Sequence, residues 1–224
     1  MAETLPSPDP GAFPDLTEAH LREVPAGTPF GRIFFAGGIY GTSWSTFRSW
    51  GPTTSRFDHH YLAPPQHHPD RAIVYVAPAI PGPTGEVYPA LKLCLAECFR
   101  DTGVVNLNRD QPYFAVFETT RKLRLLDLAD TDWVLEAGAN GAISSGPRDR
   151  SREWGQTIYA HYPEINGLIY PSSNAPQARN VALWERGADA LPARPTLHMP
   201  LSDVGLRAAI ETYAGQMRMP VVRA

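Results

Sequence analysis

The segment from Arg71 to Ala77, which reads Arg-Ala-Ile-Val-Tyr-Val-Ala, is the feature that most constrains the fold of this chain. It is almost entirely apolar and rich in β-branched residues, which predicts a strand. A strand with one face in water would alternate polar with apolar residues, so an unbroken apolar run indicates that both faces are covered. We therefore expect a sheet with a strand buried on both sides.

Around this strand the sequence mixes further short strands with separated helices. Strands are predicted at Arg32 to Phe35, Tyr113 to Glu118, Leu123 to Leu126, Gly167 to Tyr170 and Asn180 to Trp184. Helices are predicted at Val87 to Phe99, Ser151 to Tyr162 and Val204 to Gly215. Because strands and helices do not alternate regularly, the pattern favours an α+β fold of short-stranded sheets with flanking helices over a doubly wound sheet.

The chain has 224 residues, of which 43% are hydrophobic and 19% charged, so it can form a substantial core. Its first 28 residues differ from the rest, since they hold five acidic residues, five prolines and a single arginine. We interpret residues 1–28 as an acidic, proline-rich arm around the body, with a short turn of helix near Leu16 to Val24. Residues 29–224 are interpreted as one domain.

Composition also excludes several classes of protein. A formal net charge of −3 leaves no broad basic face of the kind that binds nucleic acid. No apolar run approaches the roughly 18–20 residues of a membrane span, and the acidic start Met-Ala-Glu-Thr is unlike a secretory signal. Cys94 and Cys98 share one stripe of a predicted helix, without disulfide geometry, and are expected to fill core space. We expect a cytoplasmic protein with reduced thiols, without membrane contact or direct nucleic-acid binding.

Four histidines, His59, His60, His67 and His68, form two pairs in a long irregular stretch from Ala36 to Pro69. A zinc site needs ligands of fixed geometry, and here no cysteine or carboxylate completes a familiar ligand pattern. We therefore expect no metal site and interpret the histidines as part of a polar surface loop. Aromatic residues interspersed in this stretch argue against disorder.

Two charged residues stand out as candidates for chemistry. Glu97 lies on a helix that is apolar on nearly all sides, where Lys92 is too far around the helix to neutralise it. Such a carboxylate is either paired with a distant arginine or kept for function. Arg56 can grip a phosphate or carboxylate with two parallel hydrogen bonds, or it can pair with a loop acid such as Asp58.

Two polar features accompany the strands. Tyr75 lies in the middle of the apolar strand, where core packing is the simplest role and its hydroxyl needs a partner. The stretch Pro171-Ser172-Ser173-Asn174 follows another predicted strand, and residues of this type form turns or contact ligands. The residues alone favour the turn.

Several short stretches between Pro29 and Leu201 occur in one order. They are Gly31-Arg-Ile-Phe34, Gly51-Pro with Ser55-Arg-Phe-Asp58, Ile73-Val-Tyr-Val-Ala77, Leu95-Ala-Glu-Cys98, Leu123-Arg-Leu-Leu-Asp-Leu128, Arg152-Glu-Trp154, Asn166-Gly-Leu-Ile-Tyr-Pro-Ser-Ser173 and Val181-Ala-Leu-Trp-Glu185. In this order they resemble the RES domain family, the toxins of RES–Xre toxin–antitoxin systems. Each stretch is weak by itself, whereas their shared order is fairly specific.

The resemblance implies an ADP-ribosyltransferase-like fold that binds NAD+. It assigns catalytic roles to Glu97, Arg56 and Tyr75. It assigns NAD+ contacts to Arg32, Arg56, Tyr75, Ser172 and Ser173. It implies no metal and no cofactor beyond NAD+ as substrate, and it implies an Xre-type antitoxin as partner. The chain departs from compact members by extra residues at Pro78 to Glu86 and by a longer interval between Arg56 and Tyr75.

The expected function is therefore that of a toxin that cleaves NAD+ at the nicotinamide–ribose bond. Cleavage builds positive charge on the ribose, which a carboxylate such as Glu97 stabilises. Arg56 suits the pyrophosphate, and the ring of Tyr75 can stack on nicotinamide. Two alternatives remain open: transfer of ADP-ribose to a host protein, and an inactive RES-like binding module, against which the retained site residues argue.

Overall fold

A large sheet with helices packed on it organises the chain, of which the computed structural model describes residues 4–61, 64–82 and 85–223. The strands are β1 (Leu21–Val24), β2 (Pro29–Phe35), β3 (Trp50–Gly51), β4 (Gln66–His67), β5 (Ile73–Pro78), β6 (Val105–Asn106), β7 (Pro112–Glu118), β8 (Leu123–Asp127), β9 (Gly167–Pro171), β10 (Arg179–Trp184), β11 (Leu197–Pro200) and β12 (Val221–Val222). The helices are α1 (Ala90–Phe99), α2 (Trp133–Glu136), α3 (Ala142–Ser145), α4 (Arg148–His161) and α5 (Val204–Gln216).

Eight of these strands form the main sheet, in the order β1-β8-β9-β10-β5-β2-β7-β11. The β8–β9 pair is parallel and the other neighbouring pairs are antiparallel. Two short two-stranded pairs, β12–β6 and β3–β4, lie outside it. The mixed sheet with flanking helices confirms the predicted α+β class.

Strand β5 lies inside the sheet and is covered on both faces, as its apolar sequence predicts. Its side chains alternate between the faces. Val74 and Val76 pack into an apolar cluster on one face, whereas Ile73 and Ala77 pack into the clusters on the other. Both helix-bearing clusters lie on that second face. One packs α4 over β8 to β10, and the other packs α1 and α5 over β2, β5 and β7.

The pairing between β2 and β5 is short, and this shapes the centre of the sheet. The two strands pair at Phe30–Pro78 and Gly31–Ala77. Beyond these pairs, β2 continues along β7 to Phe35, while β5 continues along β10 to Ile73. The strands therefore separate beside Tyr75, and an opening forms between them.

The N-terminal arm packs against the body and contributes a strand to the sheet. Leu5 is buried, and Trp154 donates its indole N–H to the carbonyl of Pro6 at 2.9 Å. The short turn of helix predicted near Leu16 to Val24 is present as a 3-10 turn over Glu18–His20. The next four residues form β1, which pairs with β8 far along the chain. This remote partner decides the local conformation.

Two helices begin at other residues than predicted, and each begins directly after a proline. Helix α1 begins at Ala90 because Pro89 is extended and precedes the first helical residue. Helix α4 begins at Arg148, earlier than predicted, directly after the extended Pro147. The short elements α2, α3 and β11 carry too few residues to show a period in the sequence.

The interpretation of the histidine loop as a polar surface loop is wrong for three of its four histidines. His59 and His60 are fully buried and His68 nearly so, whereas His67 is exposed. Each buried ring has a polar partner: His60 binds Asp58, His59 binds Glu185 and His68 binds the carbonyl of Gly51. Burial of the imidazoles is thus stabilised by hydrogen bonds, which the sequence pattern does not show.

None of the helices in the described residues is long and apolar enough to cross a membrane.

Candidate active site

A cavity of about 380 Å³ lies where β2 and β5 separate, between α1 and α4. It is lined by strand residues of the opening together with polar residues from both helices and from the long loop. The lining includes Arg32, Arg48, Ser55, Arg56, Tyr75, Cys94, Glu97, Cys98, Asp101, Arg148, Tyr170, Ser173 and Asn180. Arg32, Arg56, Tyr75, Glu97 and Ser173, all predicted from the sequence, therefore share one cavity.

Glu97 faces this cavity from α1. Apart from Lys92 the rest of the helix is apolar, with six of its ten residues buried, yet Glu97 is exposed to the cavity. Its Oε1 accepts hydrogen bonds from the Ser172 hydroxyl and from Asn180 Nδ2, the latter at 3.0 Å. Both partners are neutral, and no arginine or lysine of the described residues forms an ion pair with it. The carboxylate thus lies at the cavity wall with two neutral hydrogen-bond donors and no ion pair among the described residues.

Ser172 and Ser173, the two serines predicted after a strand, have different positions. Ser172 is buried, and its hydroxyl accepts from the backbone N–H groups of Asn174 at 3.1 Å and Ala175 at 2.9 Å while it donates to Glu97. Ser172 is therefore a turn former that also orients the carboxylate. Ser173 is exposed and lines the cavity directly.

Asn180 is a site residue that the sequence interpretation missed. It lies near the start of β10, opposite Tyr170 on β9, and is buried. Its amide donates to Oε1 of Glu97, the same oxygen that accepts from Ser172. The available signal was a single polar residue at the start of the otherwise apolar run Asn-Val-Ala-Leu-Trp.

Tyr75 contributes both a packed ring and an unpaired hydroxyl. The ring packs against the α4 cluster, and the residue lies opposite Ala182 of β10. The hydroxyl is buried and forms no hydrogen bond within the described residues. Burial raises the pKa of Tyr75 well above its usual range, so the hydroxyl stays protonated. A buried donor without a partner beside a cavity is available to a ligand.

Arg56 is held by the segment that joins α3 to α4. Its Nη1 donates to the carbonyl of Gly146 at 2.8 Å and to the Ser151 hydroxyl at 2.9 Å. Burial lowers the pKa of Arg56, and the charge of nearby Arg148 lowers it further. Among the described residues it forms no ion pair with Asp58, so the alternative of a local Arg–Asp pair is not what the structure shows.

Arg32, the early arginine of the first predicted strand, fixes the loop that follows it. Its Nη1 donates to three backbone carbonyls, those of Ser43 at 3.0 Å, Trp44 at 2.7 Å and Thr46 at 3.0 Å. Burial lowers its pKa to about 10, which still leaves it charged near neutrality. Arg32 thus combines a structural contact with a place in the cavity wall.

Asp58 is the centre of a buried network that shapes the loop behind the cavity. It is fully buried and accepts from Arg48 Nη2 at 3.0 Å, from Thr53 N at 2.7 Å and from Thr53 Oγ1 at 2.8 Å, and it binds the His60 ring. Burial alone would raise the pKa of Asp58, but the contacts with His60, Arg48 and Thr53 lower it well below its usual range. This network places Arg48, Ser55 and Arg56 at the cavity.

Arg148 and Asp101 join the two helices at the cavity. Arg148 is the first residue of α4, and Asp101 follows α1 by two positions. Their charged groups are 3.6 Å apart and both side chains remain largely exposed. This long, solvated contact is the weakest engagement among the cavity arginines, since Arg32, Arg48 and Arg56 all donate shorter hydrogen bonds.

The two cysteines are free thiols that pack on the inner side of α1. Cys94 is buried and Cys98 half-buried, as predicted for small core residues. Burial raises the pKa of Cys98 to about 12 and that of Cys94 further, so both remain protonated and poorly nucleophilic.

The site as a whole is electrostatically asymmetric. Four arginines, Arg32, Arg48, Arg56 and Arg148, line the cavity against two carboxylates, Glu97 and Asp101. Such a lining suits a polyanion that carries one electron-deficient centre near Glu97. Across the part of the chain that the structure describes, histidines, cysteines and carboxylates form no group of three that could hold a metal ion.

A protein of known structure has a similar fold. A chain in the crystal structure of the M. tuberculosis MbcT–MbcA toxin–antitoxin complex matches this fold with a TM-score of 0.53 and 11% sequence identity. The match covers 86% of this chain and 92% of that chain. At this identity the likeness establishes the fold. A comparison with curated protein sequences found no match.

A family model gives the assignment. The model of the RES domain matches residues 29–202, which is most of the chain and nearly the stretch over which the sequence resemblance was described. The chain belongs to the RES domain family, and the predicted family is thereby confirmed.

Proposed function

We propose that this protein is a toxin that cleaves NAD+ at the nicotinamide–ribose bond and so depletes the NAD+ of its host cell. The observation that carries the proposal is the position of Glu97, a carboxylate that forms no ion pair within the described residues, in a cavity that four arginines line. NAD+ presents the matching chemistry, because it joins an anionic pyrophosphate to a ribose that becomes cationic when the bond breaks. Membership of the RES family supports the same reaction.

Glu97 stabilises the reacting sugar. As the bond from ribose C1′ to nicotinamide breaks, its electron pair leaves with nicotinamide, which departs as a neutral molecule. The ribose ring becomes an oxocarbenium-like cation, and the nearby carboxylate lowers the energy of that charge. Water then adds to C1′ and gives up a proton to Glu97, and ADP-ribose is released.

The arginines and Tyr75 hold the rest of the molecule. Arg56 and Arg148 lie close enough for their charges to interact, and a pyrophosphate between them would relieve that repulsion. Tyr75 offers a ring face for nicotinamide and a hydroxyl that has no hydrogen-bond partner among the described residues. Ser172 and Asn180 act on Glu97 by orienting its carboxylate.

A toxin of this kind requires a partner that controls it. The matched solved structure is a toxin–antitoxin complex, which supports a cognate antitoxin for this chain, and we propose that it is of the Xre type. Since NAD+ is an intracellular substrate, the proposed place of action is the cytoplasm.

Incubation of the purified protein with NAD+ labelled in the adenine moiety tests the reaction. We expect free ADP-ribose and nicotinamide in equal amounts. Label that stays on protein would indicate ADP-ribosyl transfer instead, and absence of any product together with absence of NAD+ binding would contradict the proposal.

A further inference from the structure

A second cavity lies on the opposite side of α1 from the candidate active site. It has a volume of about 440 Å³ and is formed by one face of α1, the loop after β9 and the end of α5. Its lining residues are Tyr88, Lys92, Ala96, Arg100, Asn174, Ala175, Pro176, Gln177, Gln216, Met217 and Arg218. We call this cavity the basic groove, because Lys92, Arg100 and Arg218 line it and no carboxylate side chain of the described residues does.

The charges of the three cations in the basic groove are not neutralised by carboxylates of the described residues. Lys92 lies 5.1 Å from the centre of the Tyr88 ring, and Arg100 donates to the carbonyl of Met217 at 3.3 Å. None of the three forms an ion pair with a carboxylate anywhere in the described residues. Three unneutralised cations lie side by side here in a chain whose formal net charge is −3, so the local potential opposes that of the molecule.

The backbone of Arg218 has a conformation that packing does not explain. Its φ is +56°, in the left-handed region that favours glycine at the end of a helix. An arginine at this position strains the backbone, yet it is exposed and its side chain supports no described contact. The residue therefore contributes to the charge of the groove at the expense of local conformational preference.

The rest of the lining suits a peptide. The amides of Asn174, Gln177 and Gln216 offer both donors and acceptors, as an extended peptide backbone requires, and Tyr88 and Met217 offer apolar surface. Recognition of acidic segments by clusters of basic side chains is a common mode of peptide binding. A nucleic acid is disfavoured, because three cations make a short patch and the net charge of the whole chain is negative.

We propose that the basic groove binds an acidic segment of a protein partner. Its wall is shared with the candidate active site: Ala96 faces the groove and Glu97 the cavity, and the N–H groups of Asn174 and Ala175 bind the same Ser172 hydroxyl that orients Glu97. A partner in the groove thus contacts the loop that holds the catalytic carboxylate. This connection rests on the proposed function, whereas the binding site itself does not.

Binding of a fluorescein-labelled peptide of eight glutamates, measured by anisotropy at low salt, tests the proposal without any use of NAD+. The groove variant Lys92→Gln/Arg100→Gln/Arg218→Gln is compared with Arg109→Gln/Arg194→Gln/Arg223→Gln, which removes the same charge from exposed positions elsewhere. We expect the groove variant to bind at least tenfold more weakly and the control variant less than threefold more weakly. Equal losses in both variants, or no binding by the natural chain, would overturn the proposal.

A single substitution keeps the test independent of folding. Arg218→Gly suits the left-handed backbone, so we expect its thermal stability to be unchanged or higher while peptide binding weakens. Unchanged binding would show that Arg218 does not contribute to the binding site. It would also contradict the interpretation that the strained backbone of Arg218 is tolerated because its charge serves the groove.

Competition distinguishes other anions from an acidic peptide. We expect unlabelled peptide to displace the probe at lower concentration than tripolyphosphate or a twelve-residue oligothymidylate. Stronger displacement by tripolyphosphate would make the groove a small-anion site, and stronger displacement by the oligonucleotide would make it a nucleic-acid site; either result contradicts the proposal.

Discussion

At the scale of single residues, Ser172 belongs to the fold and to the site at the same time. One hydroxyl oxygen caps two backbone N–H groups of the turn after β9 and donates its hydrogen to Glu97. Ser173, its neighbour, lines the cavity without such contacts. Two adjacent serines of similar sequence context therefore differ in what their loss should do.

Replacement of Ser172 by alanine is expected to destabilise the protein by about 1–2 kcal/mol, because the buried N–H of Ala175 and the part-buried N–H of Asn174 lose their acceptor. It is also expected to slow nicotinamide release, since Glu97 loses one of its two donors. Ser173→Ala is the matched control, for which the loss of stability should stay below about 0.5 kcal/mol. Urea unfolding measures the free energy of unfolding of both variants. Equal destabilisation of the two would contradict the structural role assigned to Ser172.

Removal of the Tyr75 hydroxyl, unlike removal of the Ser172 hydroxyl, is not expected to destabilise the protein. Because the Tyr75 hydroxyl is buried without a partner among the described residues, Tyr75→Phe removes a desolvated polar group and should leave the free energy of unfolding equal or higher. NAD+ affinity should fall about threefold to tenfold, the range of one lost hydrogen bond. Calorimetry on the Glu97→Gln background, where NAD+ is consumed only slowly, measures the affinity. A less stable Tyr75→Phe variant with full affinity would show that the hydroxyl has a structural role.

At the scale of elements, the loop between β2 and β5 depends on Asp58. The network of Asp58, Arg48, Thr53 and His60 lies behind the cavity and fixes the segment that carries Arg56. This arrangement could not be predicted from the sequence pattern, because the residues of the network are polar and resemble those of a surface loop. Long irregular segments of this kind owe their order to specific hydrogen bonds, which a periodic pattern does not encode.

The stability of this loop should depend on pH in one direction. Since the folded pKa of Asp58 lies below its unfolded value near 4, its contribution is complete above about pH 5 and is lost as the pH falls further. Glu185, whose pKa is lowered to about 2 by His59, Ala72 N–H and Tyr159 against the effect of burial, acts in the same direction. We expect the free energy of unfolding to decrease from pH 5 to pH 2.

Asp58→Asn tests this account of the loop. The variant should lose about 3 kcal/mol at pH 7, because a buried charge pair is broken, and its stability should decline less steeply toward acid than that of the natural chain. Urea unfolding at a series of pH values provides both quantities. Parallel curves for variant and natural chain would mean that Asp58 does not carry the acid sensitivity.

The contact between α1 and α4 makes a second prediction at this scale. Arg148→Gln removes a cation from the cavity and should weaken NAD+ binding about tenfold. Asp101→Asn frees Arg148 and removes a negative charge, so binding should be unchanged or tighter. Calorimetry on the Glu97→Gln background compares the two. Equal weakening by both substitutions would show that the ion pair serves the structure alone.

At the scale of the whole molecule, some features could be predicted from the sequence and others could not. Strands β5, β9 and β10 are nearly continuous apolar runs, and their predicted positions are within two residues of the observed ones. Strand β1 could not be predicted, since its partner β8 lies far away in sequence. The family and the fold class are confirmed, and the cavity brings Arg32, Arg56, Tyr75, Glu97 and Ser173 together.

The site residues that the sequence did not reveal are those defined by three-dimensional position. Asn180 lies near the start of a strand and Arg148 is the first residue of a helix, and neither position indicates in the sequence that the residue lies close to Glu97. Their place in the cavity arises from the separation of β2 and β5 and from the approach of α4 to α1. The roles of all these residues in NAD+ cleavage remain predictions.

The central claim is that Glu97 supplies the negative charge for cleavage of NAD+, and nicotinamide release by Glu97→Gln tests it most directly. Glutamine keeps the shape and accepts hydrogen bonds but has no charge, so release should fall on the order of 10²–10³-fold while NAD+ binding and thermal stability persist. Glu118→Gln, an exposed change on β7, should release nicotinamide at the rate of the natural chain. Near-normal release by a folded Glu97→Gln protein would contradict the claim.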